Sequence, residues 1–151
     1  MTGYELEDEL ISRTETNLRA IEKLHKQGVT VYEVTQLINS LLGLLVFPRE
    51  TFLKQIPIIS RNSMIKEDWP LPDEQISQVQ YLRELVRNMR NAVAHFNIEL
   101  ITHGNEIEGI IFKDYALQDK DKTNPLWIGV YRVDQLRRFV DKFLASISKK
   151  H

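Results

Sequence analysis

The sequence has no cysteine among its 151 residues. This absence excludes disulfide frameworks, cysteine-based zinc sites and thiol nucleophiles. An excess of one charge is also lacking, because 20 Lys and Arg residues oppose 21 Asp and Glu residues. A nucleic-acid site would therefore have to be a local patch. With 42% apolar and 27% charged residues, the composition is that of a globular protein, and we predict a single domain over residues 1–151.

Long hydrophobic runs are missing as well. The longest near-apolar run, Leu41 to Phe47, is far shorter than the roughly twenty residues that span a bilayer. The first residues, up to Glu9, are acidic where a secretory signal peptide would be basic and then apolar. We therefore expect a cytoplasmic protein that makes no contact with a membrane.

The common motifs for cofactors and metals do not occur. The chain has no phosphate-binding G-x-x-x-x-G-K-[ST] loop, no G-x-G-x-x-G and no H-E-x-x-H. A calcium loop beginning at Asp119 would need Gly and Glu at the positions of Asn124 and Val130. We predict a solvated loop there, and neither a cofactor nor a metal site.

Hydrophobic periodicity predicts helices over about residues 4–26, 31–46 and 73–96. Gly28 stands where the first helix would end, and Thr30 with Glu33 forms a capping box for the second. The segment 55–72 has several prolines and reads as a connecting loop with room for one helical turn.

Three short strands follow, over 98–101, 107–112 and 127–131, and Asp134 can cap a final helix. Ile110, Phe112 and Trp127 are expected to be packing residues of the strands. The predicted fold is mainly α, a helical bundle with a small antiparallel β insertion, about residues 97–131, before the C-terminal helix.

The predicted third helix has two different faces. On an ideal wheel with Arg90 at zero, the apolar residues lie between about 200° and 340°; they are Val79, Leu82, Leu85, Val86, Met89, Ala92, Val93 and Phe96. A polar group lies between about 0° and 140°; it comprises Arg83, Arg87, Arg90, Asn91 and His95. One face is therefore expected to be buried and the other to gather cations.

Arginine and histidine together suit phosphodiester chemistry. A guanidinium can bind two oxygens of one phosphate, and an imidazole can transfer a proton at neutral pH. An RNA 2′-hydroxyl could then attack its own phosphorus without a metal. The spacing of Arg90 and His95 by itself favours a solvated helix face, on which cations near the C-terminus are stabilised by the helix dipole.

The segment Arg90-Asn91-Ala92-Val93-Ala94-His95 resembles the R-[polar]-x-x-x-H signature of HEPN domains, which closes the third helix of a helical bundle. The stretch Leu37 to Glu50 is similar to the second helix of a bacterial and plasmid-borne HEPN subgroup. The resemblance covers the chain from the first helix to His95 and is less specific for the strands and the last helix. It implies a HEPN-like bundle.

This resemblance implies a metal-independent endoribonuclease that acts as a homodimer, with the two motifs facing each other across the two-fold axis. Arg90 and His95 would be catalytic, and Asn91 would support them. Toxin–antitoxin systems and phage defence are the implied settings, with RNA and a cognate antitoxin protein as partners. Arg83 and Arg87 lie outside the signature, and we assign them to contacts with the RNA backbone.

One departure from the family pattern follows the motif. Many members turn through a glycine after the histidine, whereas here Phe96-Asn97-Ile98 leads into a strand. Two alternatives to the nuclease remain: a non-catalytic HEPN-like module that binds RNA, a nucleotide or an acidic partner, and a helical protein whose polar face contacts another protein.

Overall fold

The computed structural model describes residues 3–46 and 53–148. The chain divides into two compact units, Met1–Arg49 and Glu50–His151. Pro48 and the end of the stretch Leu37 to Glu50 lie outside the described residues.

The first unit contains two helices, α1 (Gly3–Lys26) and α2 (Glu33–Val46), which pack against each other. Helix α1 ends in a Schellman motif, in which Val29 N–H donates to the Leu24 carbonyl and Gly28 N–H donates to the His25 carbonyl. Gly28 has the φ of +80° that this motif requires, and glycine adopts it without steric cost.

The described part of the second unit combines helices with a sheet. Its elements in chain order are α3 (Arg61–Lys66), β1 (Asp73–Gln75), α4 (Leu82–Ala94), β2 (Ile98–His103), β3 (Glu106–Tyr115), β4 (Pro125–Arg132) and α5 (Val133–Ser148). All strand pairs are antiparallel, and the order across the sheet is β1-β4-β3-β2. Helix α4 packs on β3, and α5 packs on β3 and β4.

Aromatic side chains fill the space between the sheet and α5. Phe112 meets Tyr131 edge-on at 6.3 Å, Tyr131 contacts Phe139 at 5.8 Å, and Phe139 stacks on Phe143 at 5.8 Å between ring centroids. These rings are fully buried and supply much of the apolar area that stabilises this unit. The expected burial of Ile110, Phe112 and Trp127 is confirmed.

The prediction of a mainly α fold is wrong. The described residues form a four-stranded antiparallel sheet as well as helices, so the fold is a mixture of helix and sheet rather than a helical bundle with a small insertion. The unexpected strand is β1, because residues 73–75 pair with β4 instead of opening the long helix. A strand of three residues is too short to leave an alternating pattern in the sequence.

The third helix is correspondingly shorter than predicted, since α4 begins at Leu82 rather than near Asp73. Residues 76–81 are held in extended and turn conformations by contacts distant in sequence. The Ser77 hydroxyl donates to the Leu126 carbonyl at 2.9 Å, Arg61 N–H donates to the Gln80 carbonyl at 2.7 Å, and Leu82 N–H donates to the Ile59 carbonyl at 2.9 Å. These tertiary contacts override the helical periodicity.

No helix within the described ranges is both long enough and apolar enough to cross a bilayer.

Candidate active site

Helix α4 and its C-cap residue together carry all five predicted site residues, on the polar side of the helix. Its buried residues are Leu82, Leu85, Val86, Met89 and Ala92. Arg87 and His95 are exposed, while Arg83, Arg90 and Asn91 are partly exposed. Packing of the apolar side against β3 thus leaves an unbroken polar side that ends at His95.

His95 is the C-cap residue of α4, and its backbone is fixed by a second Schellman motif. Asn97 N–H donates to the Ala92 carbonyl at 2.7 Å, and Phe96 N–H donates to the Val93 carbonyl at 3.1 Å. Asn97 in turn accepts a hydrogen bond from Lys113 N–H of β3 at 3.0 Å. This hydrogen bond from β3 therefore helps to fix the backbone that follows the C-cap residue His95.

Asn91 lies between Arg90 and a buried acid. Its side-chain amide donates a long hydrogen bond of 3.4 Å to the carboxylate of Asp114 on β3. The Asp114 side chain belongs to a residue only 8% exposed, and this burial raises its pKa above the usual range. The hydrogen bonds from Asn91 and the Tyr115 backbone, and the charge of nearby His95, oppose that increase in pKa.

Asp114 is a site residue that the sequence reasoning missed. It follows Ile110 and Phe112 on the inward side of β3, where alternation calls for another apolar residue. An acidic residue at an inward position of a half-buried strand was the available signal, because such a carboxylate requires a polar partner.

Arg87 and Arg90 keep their guanidinium groups available. Within residues 3–46 and 53–148, neither forms a hydrogen bond or an ion pair. Since a guanidinium offers five donors, both side chains can receive the oxygens of an anionic ligand.

Arg83 has a different environment from the other two arginines. Its Nη2 donates to the backbone carbonyls of Lys54 at 2.8 Å and Ile56 at 2.7 Å, and its Nε is buried without a partner among the described residues. The side chain thus ties the segment before α3 to α4. Contact of Arg83 with RNA stays a prediction, and only donors not used by these carbonyls are available for it.

A cavity of about 160 Å³ opens beside His95. Its walls come from the end of α4 and from the loop between β3 and β4, including Asn97, Tyr115, Lys120 and Lys122. Lys122 Nζ donates to the His95 carbonyl at 3.4 Å, which links the loop to the helix end. Two ammonium groups, an imidazole and the Asp119 carboxylate therefore border one concave surface.

Asp119 organises that loop. Its carboxylate accepts hydrogen bonds from Asn124 N–H at 2.9 Å, Thr123 N–H at 3.3 Å and the Thr123 hydroxyl at 3.2 Å. The two backbone donors, that of Asn124 first, lower the pKa of Asp119. Among the residues the structure describes, no group of three or more His, Asp or Glu side chains is arranged to hold a metal ion.

The arrangement can bind an anion and move a proton. An exposed imidazole on a fixed backbone, at the end of a helix that also carries free guanidinium groups, can supply proton transfer and charge stabilisation. The hydrogen bond to Asp114 restricts the side chain of Asn91, which lies between Arg90 and His95 in the sequence.

Comparison with known proteins identifies a family for this chain. The sequence matches the family described as HEPN pEK499 p136 over residues 1–151. No curated protein and no solved structure matches the chain. A HEPN domain indicates a nuclease or RNA-binding role in general terms. With the whole of its sequence matched, this chain belongs to the HEPN pEK499 p136 family.

Proposed function

We propose that the protein is a metal-independent endoribonuclease in which Arg90 and His95 of two protomers form a composite active site. The observation that carries the proposal is the end of α4, where an exposed imidazole on a fixed backbone follows a guanidinium free of partners among the described residues. The intervening Asn91 is held by a buried carboxylate. Family membership supports a role in RNA chemistry.

The proposed reaction is internal transesterification of RNA. A histidine accepts the proton of a 2′-hydroxyl, whose oxygen forms a bond to the adjacent phosphorus. The bond from phosphorus to the 5′-oxygen breaks, and that oxygen takes up a proton. The products are a 2′,3′-cyclic phosphate and a 5′-hydroxyl. Arg90 stabilises the negative charge that develops on the phosphoryl oxygens.

Dimerisation completes the site in this proposal. One helix presents a single Arg and His pair on an exposed surface, whereas a two-fold pair of such helices would enclose a cleft with two pairs. The second histidine supplies a separate group to protonate the leaving oxygen. We propose a toxin–antitoxin or phage-defence role, with a cognate antitoxin protein as the partner that controls the activity.

The alternative is an RNA-binding module without catalysis. One observation favours it: the His95 imidazole makes no hydrogen bond to any side chain or backbone group that the structure describes, so none of these groups selects its tautomer. The free arginines would then hold the RNA backbone by charge alone.

The two functions are separated by incubating labelled single-stranded RNA with the protein in excess chelator. We expect cleavage by the wild type, and a loss of about 10²-fold or more in His95→Ala, the range of a general acid or base. His103→Ala is the matched control, because His103 is an exposed histidine at the far end of β2 and is expected to retain activity.

Each outcome discriminates between the proposals. Binding of RNA by the wild type without cleavage favours the non-catalytic module. Cleavage that survives in His95→Ala contradicts the assigned site. Products that lack a 2′,3′-cyclic phosphate, or cleavage of a fully 2′-O-methylated strand, contradict the reaction.

A further inference from the structure

Phe96 occupies a backbone position that normally belongs to glycine. It is the C′ residue of the Schellman motif that ends α4, and its φ is +59°. Left-handed backbone places the Cβ of an L-residue too close to the following carbonyl, so bulky side chains are rare there. The same motif at the end of α1 has Gly28 at the equivalent position. The fold therefore needs no side chain at residue 96.

Packing does not account for the phenylalanine either. The helical wheel placed Phe96 among the apolar, inward residues, and this prediction is wrong, because the residue is 89% exposed. The chain leaves the helical path after Ala94, so the wheel no longer applies at residue 96. A strained backbone and an exposed ring are both unfavourable for folding, which points to a role in binding.

The surroundings of Phe96 indicate the chemistry of its ligand. The residues on either side, His95 and Asn97, line the cavity beside the β3–β4 loop, and Lys120 and Lys122 line it as well. Asp119 lines the cavity too, but its carboxylate accepts hydrogen bonds from Thr123 and Asn124, so the two lysine ammonium groups are the charges available to an anionic ligand. An exposed aromatic ring beside cations suits a strand that presents bases and phosphates alternately.

We propose that Phe96 is a stacking platform for one nucleobase of single-stranded RNA, with Lys120 and Lys122 contacting neighbouring phosphates. This inference rests on the proposed function and adds the substrate class, unpaired RNA, since a base inside a duplex offers no free face. Stacking places the adjoining phosphate at His95, the residue that precedes Phe96 in the chain. Every base has a π-face, so the contact tolerates different sequences.

The test exploits the conflict between folding and binding at this position. Phe96→Gly relieves the backbone strain, so we expect its thermal midpoint to be equal to or a few degrees above that of the wild type. Its affinity for a fluorescent, fully 2′-O-methylated single strand, measured by anisotropy, is expected to fall about 5- to 150-fold. Phe96→Trp retains a ring and is expected to retain the affinity.

Ile76→Gly provides the matched control. Ile76 is also an exposed apolar residue, 65% accessible, with a φ of +79°. It follows β1, at the edge of the sheet opposite β2, which is the strand that follows Phe96. We expect Ile76→Gly to show the same gain or retention in thermal midpoint with no change in RNA affinity.

The results separate this inference from the proposed function. Weaker binding by Phe96→Gly, without loss of stability, supports the stacking platform. Unchanged RNA affinity overturns it while leaving the ribonuclease proposal intact. A change confined to self-association, measured by sedimentation, assigns Phe96 to a protein contact and overturns the inference. Absence of RNA binding and cleavage by the wild type overturns both.

Discussion

Asp114 is a residue of the candidate site whose ionised side chain lowers the stability of the fold. Its carboxylate is buried on β3, and burial raises its pKa. Because the folded state binds this proton more tightly than the unfolded chain does, the protein loses stability as the pH rises from the ordinary carboxyl range through the elevated pKa. At neutral pH the ionised carboxylate is therefore unfavourable for folding, and the contact to Asn91 offsets it only in part.

We predict that Asp114→Asn stabilises the protein at neutral pH. The neutral amide keeps an oxygen that accepts from Asn91 and avoids burial of a charge, so the free energy of unfolding is expected to rise by about 1 kcal/mol. The gain should be smaller at about pH 3, below the ordinary carboxyl range, because the raised pKa keeps the wild-type carboxyl protonated there in the folded state. Urea unfolding at both pH values measures the difference.

Asp134→Asn is the control for this pH dependence. Asp134 is exposed, and its hydrogen bond from Arg132 lowers its pKa, so its ionised form is the one that the fold favours. Neutralising it should bring no gain at neutral pH. If Asp114→Asn is less stable than the wild type at neutral pH, the charge of the carboxylate is itself required by the fold.

At the scale of elements, Glu74 holds β1 in the sheet. Its side chain is 1% exposed and accepts from Arg61 of α3 at 2.6 Å, from Val79 N–H at 2.9 Å and from Trp127 Nε1 of β4 at 2.7 Å. One carboxylate thereby connects α3, the edge strand, the segment before α4 and the adjacent strand. We call this carboxylate and its three donors the Glu74 hub. The hub stabilises β1 more than the backbone pairing of its three residues does.

We predict that Glu74→Gln lowers the free energy of unfolding by about 2–3 kcal/mol. This value lies between the cost of losing one charged hydrogen bond and the cost of breaking a buried ion pair. An amide has a single acceptor oxygen for three donors, and the Arg61 guanidinium loses its counter-charge. Denaturant unfolding measures the change.

The matched control for Glu74 is Glu99→Gln. Glu99 also pairs with a cation, Lys113, at 2.9 Å, but it is 59% exposed and the pair lies on the surface. We expect its loss to change stability by less than about 0.5 kcal/mol. Equal effects of the two substitutions would contradict the role of Glu74 as the hub.

The same elements show how far the sequence could predict the fold. Long periodic patterns indicated α1, α2 and α5, and alternation indicated the three strands from β2 to β4. The strand β1 and the late start of α4 could not be predicted, because they depend on Glu74 meeting Arg61 and Trp127 across 13 and 53 positions of the chain. In the site, the residues of one helix were identifiable, whereas Asp114 and the β3–β4 loop are brought to it by the sheet.

At the scale of the whole molecule, the charge is nearly balanced, so affinity for RNA has to come from a small surface. Arg87, Arg90, Lys120 and Lys122 are the cations that the structure offers near the end of α4. A two-fold assembly would double this set within one cleft, which makes the oligomeric state part of the proposed chemistry.

Mixed dimers test whether two protomers share one site. Wild-type protein at a fixed concentration receives increasing amounts of His95→Ala, with RNA in large excess over total protein so that the variant does not deplete the substrate. If each reaction needs both histidines, exchange of subunits traps wild-type protomers in inactive pairs, and cleavage should fall towards zero. A rate that stays constant per wild-type protomer, while sedimentation shows that mixed dimers have formed, would mean that each protomer acts alone and would contradict the composite site.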